Sequence, residues 1–217
     1  MTSRASEGLW ITIEGGDGAG KTTQSTLLED WLQSQGRNVV RTREPGGTEV
    51  GNLIRNIVLH HRGDVAPRAE ALLYAADRAH HIETLVRPAL SRGDVVIQDR
   101  YLDSSVAYQG AGRVLDSNEV RNLSLWAADG ALPDVTVLLD LDPAHARKRL
   151  DADDKPFDRL EAEELDFHTR VRAAFLALAE AEPERFLVLD AALPASELAA
   201  VVRHRVSTLI GDVSTSH

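Results

Sequence analysis

At 217 residues the chain is long for one average domain and short for two, so a single α/β unit spanning residues 1–217 with one inserted loop is the expected organisation. The apolar fraction of 43% supplies a packed core, no apolar run approaches the ~18–20 residues that span a bilayer, and the polar segment Met1 to Glu7 lacks the apolar stretch of a signal peptide. A net charge of −10 argues against nucleic acid as a partner, and the lack of cysteine excludes disulfides and thiolate metal sites, which fits a cytoplasmic enzyme.

Short β-branched runs alternate along the chain with longer helical patterns. Leu9–Glu14 reads as a strand and Gly20–Gln35 as a helix. Asn38–Arg43 is the next strand, followed by helical patterns at Thr48–His61 and Ala66–Ser91. Asp94–Asp99 is the third strand and Ser117–Asp129 the next helix. Val135–Leu141 and Arg185–Asp190 are the last strands, with helices at Ala144–Leu150, Leu160–Glu180 and Ser196–Ile210. In Leu160–Glu180, Leu160, Phe167, Val171, Ala174, Phe175 and Leu178 repeat at the helical period. Near-continuous apolar strands suit burial on both faces. The alternation predicts a three-layer α/β fold, a five-stranded parallel sheet with helices on both faces. The polar stretch at about 151–158, DADDKPFD, is the candidate lid.

The segment GGDGAGKT, Gly15 to Thr22, fits G-x-x-x-x-G-K-[ST] without a mismatch, with a strand before it and a helix after it. Glycines let the backbone turn its amides around a phosphate, and the helix N-terminus adds partial positive charge. Gly15, Gly16, Asp17, Gly18, Ala19, Gly20, Lys21, Thr22 and Thr23 are therefore the candidate cradle for the phosphates of ATP. Lys21 would reach the β- and γ-phosphates and the Thr22 hydroxyl would ligate Mg²⁺. The guanine-reading N/T-K-x-D motif of a GTPase is absent, and the length suits a small phosphotransferase.

Two further segments, Thr42–Glu49 (TREPGGTE) and Asp99–Gly110 (DRYLDSSVAYQG), follow strands, where open α/β sheets hold ligands. Between them lies Leu72–Arg78 (LLYAADR), whose Tyr74 and Arg78 share a helix face. With the late DRLE, Asp158–Glu161, the set resembles the thymidylate kinase family over almost the whole chain. The resemblance implies phosphorylation of dTMP to dTDP by ATP and Mg²⁺ in a homodimer. It implies that Asp17 accepts from the 3′-hydroxyl, Tyr74 stacks on thymine and Arg78 bonds a thymine carbonyl. Arg43, Arg55 and Arg100 would hold the acceptor phosphate, with Glu44, Ser104, Ser105 and Gln109 lining the site. Asp99 would position Mg²⁺ and Arg149 would lie against adenine.

Each reading has a plainer rival. Arg55 could instead be a solvated helix residue, Tyr74 core, Glu44–Gly47 an ordinary turn and Arg147 to Arg149 a snorkelling helix end. His60–His61 and His80–His81 read as solvated surface rather than metal ligands. The phosphate loop has Gly18 where some relatives carry arginine, yet the lid holds Asp151, Asp153 and Asp154; Lys155 or Arg159 is the expected donor to the transferred phosphate, with Arg147 or Arg149 of the preceding helix, or weak catalysis, as the alternatives. A kinase for another nucleoside monophosphate or a deoxynucleoside, and a nucleotide-binding regulator without turnover, are the alternative functions.

Overall fold

The computed structural model describes residues 8–152 and 157–214, the last four by their backbone alone. In chain order the elements are β1 (Leu9–Gly15), α1 (Lys21–Ser34), β2 (Val39–Arg43), α2 (Glu49–His60) and α3 (Pro67–His81). A π-helical turn (Ile82–Val86), α4 (Arg87–Ser91), β3 (Val95–Asp99), α5 (Leu102–Ser105) and a second π-helical segment (Val106–Gly112) follow. The chain continues through α6 (Ser117–Ala127), β4 (Val135–Asp140), α7 (Pro143–Ala152), α8 (Leu165–Ala181), β5 (Phe186–Asp190) and α9 (Ala195–Ser214). The five strands make one parallel sheet in the order β2-β3-β1-β4-β5. The order reverses around β1, so the crevice beyond the C-terminal end of β1 is where a ligand belongs.

Alternation along β1 divides the core. Ile11 and Ile13 pack with Leu28 and Leu32 of α1 and Leu198, Val202 and Val206 of α9. Trp10, Thr12 and Glu14 turn to the other face. There Trp10 meets Tyr101 and Leu102, while Tyr108, Phe167, Val171 and Phe175 pack over Leu138. That second face is unusually polar inside: Thr12, Glu14, Gln98 and Thr136 are all buried. They are satisfied internally, as Thr12 and Thr136 share a hydrogen bond of 2.8 Å and Trp10 Nε1 donates to Gln98.

All five expected strands form, two expected helices are interrupted or shortened, and one helical segment forms where a loop was expected. The Ala66–Ser91 pattern is helical but contains the wide turn Ile82–Val86, because Pro88 has no amide to give and its ring crowds the preceding turn. Leu160 sits in a turn at 159–162 rather than in a helix, since Asp158 Oδ1 accepts the amides of Leu160 and Glu161 and starts a separate turn there. The segment after Arg100, read only as a strand-end loop, is helical from Leu102 to Gly112. Its Ser, Val, Tyr and Gly composition has poor helix propensity. Tertiary contact holds it instead: Glu14 caps its first amides and Tyr108 packs edge-on against Phe167 and Phe175. Asp151 and Ala152, expected in the lid, complete α7.

Candidate active site

The loop between β1 and α1 is shaped by close approaches that only glycine permits. At Gly15 a Cβ would lie 2.4 Å from the Leu139 carbonyl oxygen, and at Gly18 2.9 Å from that of Ala146. Both have positive φ, 132° and 76°. Lys21 folds back over the loop and donates to the carbonyls of Gly16 at 2.8 Å and Gly15 at 3.2 Å. Burial, then the neighbouring Arg100, lowers its pKa.

Arg100 follows β3 with φ 66°, a left-handed conformation rare outside glycine. It is fixed by its surroundings: its amide bonds Ile13 O, and Glu14 accepts the next amides, Tyr101 N at 2.7 Å and Ser104 N at 3.3 Å. Glu14 is wholly buried, and burial together with Asp103 raises its pKa to about 7. The Arg100 guanidinium then reaches Asp17, the Gly15 carbonyl, Ser104 Oγ and Tyr108 Oη. Burial alone would raise Asp17, but Arg100 and Lys21 outweigh it and hold the carboxyl well below the usual range.

A cleft of about 710 Å³ opens between this loop and the wall formed by α3, α5 and the 106–112 segment. It brings together Asp17, Gly18, Gly20, Lys21, Thr22 and Thr23 with Arg43, Glu44, Arg55, Tyr74, Arg78, Asp99, Arg100, Ser104, Ser105, Gln109 and Arg149. Gly15 and Gly16 face a separate apolar cavity of about 90 Å³ behind the loop, and the Ala19 side chain belongs to the core. Arg43 makes no ion pair among the described residues and Arg55 donates only to the Pro45 carbonyl, so neither of these cleft-lining guanidiniums is in ion-pair contact with a described carboxylate. Burial and then Arg43 lower the pKa of Arg55. Such a pair calls for an anion. Asp99 Oδ1 is buried without a hydrogen-bond partner, and Thr22 lines the same cleft. This all-oxygen donor set suits a hard divalent cation that takes its remaining ligands from phosphate and water.

The far end of the cleft rests on a buried chain of polar groups. Arg78, 1% exposed, donates to Glu44 Oε2 at 3.0 Å, Ser124 Oγ at 2.9 Å and Ser105 Oγ at 3.1 Å. Glu44 also shares a hydrogen bond with His81 Nδ1, whose Nε2 pairs with Thr42 Oγ1 at 2.7 Å. His81 is therefore a buried structural member of this chain, not the solvated residue expected from sequence. Tyr74, buried beside them, presents a ring to the cleft.

Residues 13–202 match the family model for thymidylate kinase. The chain is 71% identical over 203 residues to the thymidylate kinase of Clavibacter michiganensis, covering 94% of this chain and 96% of that one. It is 51% identical to that of Deinococcus radiodurans, over 93% and 98% of the two chains. The crystal structure of the thymidylate kinase from Ehrlichia chaffeensis superposes with a TM-score of 0.75 at 31% identity, covering 92% of this chain and 99% of that one. The chain belongs to the thymidylate kinase family. It is a phosphotransferase, and its reaction is the phosphorylation of dTMP.

Around the expected lid, the described cations are engaged with other groups. Lys155 lies outside the described residues. Arg159 does not face the phosphate loop: its Nε donates to the Val58 carbonyl and its guanidinium to Glu70. Arg147 stacks on Phe157 and pairs with Asp151. Arg149 donates to the Gly18 and Ala191 carbonyls, so α7 sets a cation on the phosphate loop at its glycine position. Tyr108, Glu14, Glu70 and Asp77 had no assigned role from sequence. The signal for Glu70 was its position one turn before Tyr74 and two before Arg78, on one helix face.

Proposed function

We propose that the chain transfers the γ-phosphoryl group of ATP to the 5′-phosphate of dTMP, with Mg²⁺, as a homodimeric cytoplasmic enzyme. The observation that carries this reading is the pair Arg43 and Arg55, cationic and unpaired across the cleft from Lys21. An acceptor that already bears a phosphate supplies the missing anion. A nucleoside would leave both guanidiniums uncompensated.

The loop Gly15–Thr23 holds the donor phosphates, with Lys21 moving from the Gly15 and Gly16 carbonyls onto the transferred group. Arg100, clamped by Glu14 and Ser104, stands between donor and acceptor and neutralises both. No general base is needed, because the attacking oxygen belongs to a phosphate. Asp17 and Tyr108 face the sugar, Tyr74 the base, and Arg78 with Ser105 the base edge. Asp99 and Thr22 fit Mg²⁺, which when bound screens the phosphate charges. Arg149, on the Ala191 carbonyl, borders the adenine. Holding both reactants in near-attack geometry supplies ~7–11 kcal/mol of the barrier reduction. Residues 1–217 act as one catalytic unit, with the lid following α7 and ending at about residue 158.

The dimer has its support in Val50, Leu53 and Ile57 of α2 and Leu72 of α3, large apolar side chains 43 to 63% exposed on neighbouring helices. The test is ADP release over a panel of nucleoside monophosphates and deoxynucleosides. We expect dTMP to be the best acceptor, dUMP weaker and dCMP and dGMP poor. Equal kcat/KM for dTMP and thymidine would overturn the reading, because Arg43 and Arg55 would then have no phosphate to hold.

A further inference from the structure

Glu70 is wholly buried and does not line the cleft, so it touches neither substrate nor solvent. It nonetheless joins the segments that make the acceptor wall. Its own helix, α3, carries Tyr74 and Arg78. Its Oε1 accepts from Gln109 Nε2 at 2.8 Å and from Arg113 Nε at 3.4 Å, both on or next to the 106–112 segment. Its Oε2 accepts from Arg159, in the segment behind the lid, where Asp158, Leu160 and Glu161 face the cleft. Arg159 is bound at its other side to the Val58 carbonyl of α2, the helix that bears Arg55.

We propose that the Glu70–Arg159 pair is a positioning device that sets the width of the acceptor slot by tying the segment behind the lid to α3. Guanidinium–carboxylate bonds are short and directional, so the pair fixes a distance between backbone segments rather than merely adding attraction. Glu70 meets its remaining donors from the 106–112 side whether or not Arg159 is present, so losing Arg159 releases the post-lid segment alone. Asp158 caps the turn 159–162, and the pair thereby also fixes where Glu161 enters the cleft. Arg159 acts on dTMP through geometry and never reaches the transferred phosphate.

This inference rests on the reading of the cleft as a nucleoside monophosphate site. Wild-type turnover on the acceptor panel tests that reading by itself, and the inference is read from variant-to-wild-type ratios with whichever acceptor proves best. Arg159→Ala should raise KM for the acceptor on the order of tenfold, with kcat and KM for ATP within about twofold. Arg159→Lys should recover most of the loss. Arg113→Ala, which leaves the Arg159 bond intact, should keep wild-type KM values. Glu70→Gln should reproduce the Arg159→Ala split and add little to it in the double variant; if Glu70→Gln does not fold, the Arg159 and Arg113 variants decide alone. Three results would overturn the proposal: a large loss of kcat in Arg159→Ala with unchanged acceptor KM, which makes Arg159 a phosphate donor; equal shifts for both substrates; or lowered thermal stability with wild-type kinetics.

Discussion

The two sides of the cleft are built by different means. The phosphate loop is local. Its backbone is one stretch of chain, Gly15, Gly16, Gly18 and Gly20 between one strand end and one helix start, and Lys21 rests on the nearby Gly15 and Gly16 carbonyls. The opposite wall is assembled from distant parts of the chain through buried carboxylates. Glu44 binds Arg78 and His81, Glu70 binds Gln109, Arg113 and Arg159, and Asp103 binds Arg185. A loop of backbone amides accepts any triphosphate. A wall tied by buried carboxylates fixes one slot, since removing a carboxylate such as Glu44 leaves a cation unpaired in a dry interior.

If this difference is real, damage to the wall should cost stability and damage to the loop should cost turnover. The largest effect is expected for Glu44→Ala, which strands the wholly buried Arg78 and removes the partner of His81. We expect about 3–5 kcal/mol of lost stability, read by denaturant unfolding. An unfolding midpoint near wild type would mean that Arg78 finds another anion and that the wall is not interlocked.

Lys21→Ala should leave unfolding and the circular dichroism spectrum unchanged while kcat falls by ~10²–10³ or more. Because its hydrogen-bond partners are carbonyls of the adjoining chain and its ion-pair partner Asp17 keeps Arg100, the fold does not depend on it. Activity within a few-fold of wild type would remove the loop from the chemistry.

Arg43→Ala and Arg55→Ala sharpen the comparison at the border between the two regions. Each removes a charged contact worth ~1.5–3 kcal/mol, so KM for dTMP should rise by about 10- to 150-fold. KM for ATP should stay close to wild type. Parallel rises in both constants would mean that these arginines serve the donor.

The smallest effect expected is a slope. Asp77 Oδ2 accepts the Gly46 amide while Oδ1 is buried without a partner, and burial, then Glu44, raises its pKa from 3.8 to about 7. Between those values the folded protein binds the proton and the unfolded chain does not. Stability from this group is therefore present below about pH 4 and is lost as pH rises through about 7. Asp77→Asn, which keeps an acceptor for Gly46, should flatten that decline in melting temperature between pH 5 and 7.5. Parallel profiles for the two proteins would show that Asp77 does not carry the proton.

The sequence by itself determined the sheet and the phosphate loop. Both depend on neighbours in the chain: apolar runs make strands, and glycine with Lys21 and Thr22 in register makes a phosphate cradle whatever lies elsewhere. It also supplied, through the family resemblance, the residues that line the cleft. Only the tertiary structure decided which of them serve one another. The helix Leu102–Gly112 has no local reason to form and depends on Glu14, contributed by β1. His81 looked like surface because burial is a property of packing, not of an adjacent His80. Arg159 showed its charge in the sequence but not its partner: Glu70 lies far back in the chain, and only the fold brings the two together. Long-range pairing of charges leaves no spacing signal in the chain, since a guanidinium on a long side chain meets whichever carboxylate the sheet and helices carry to it.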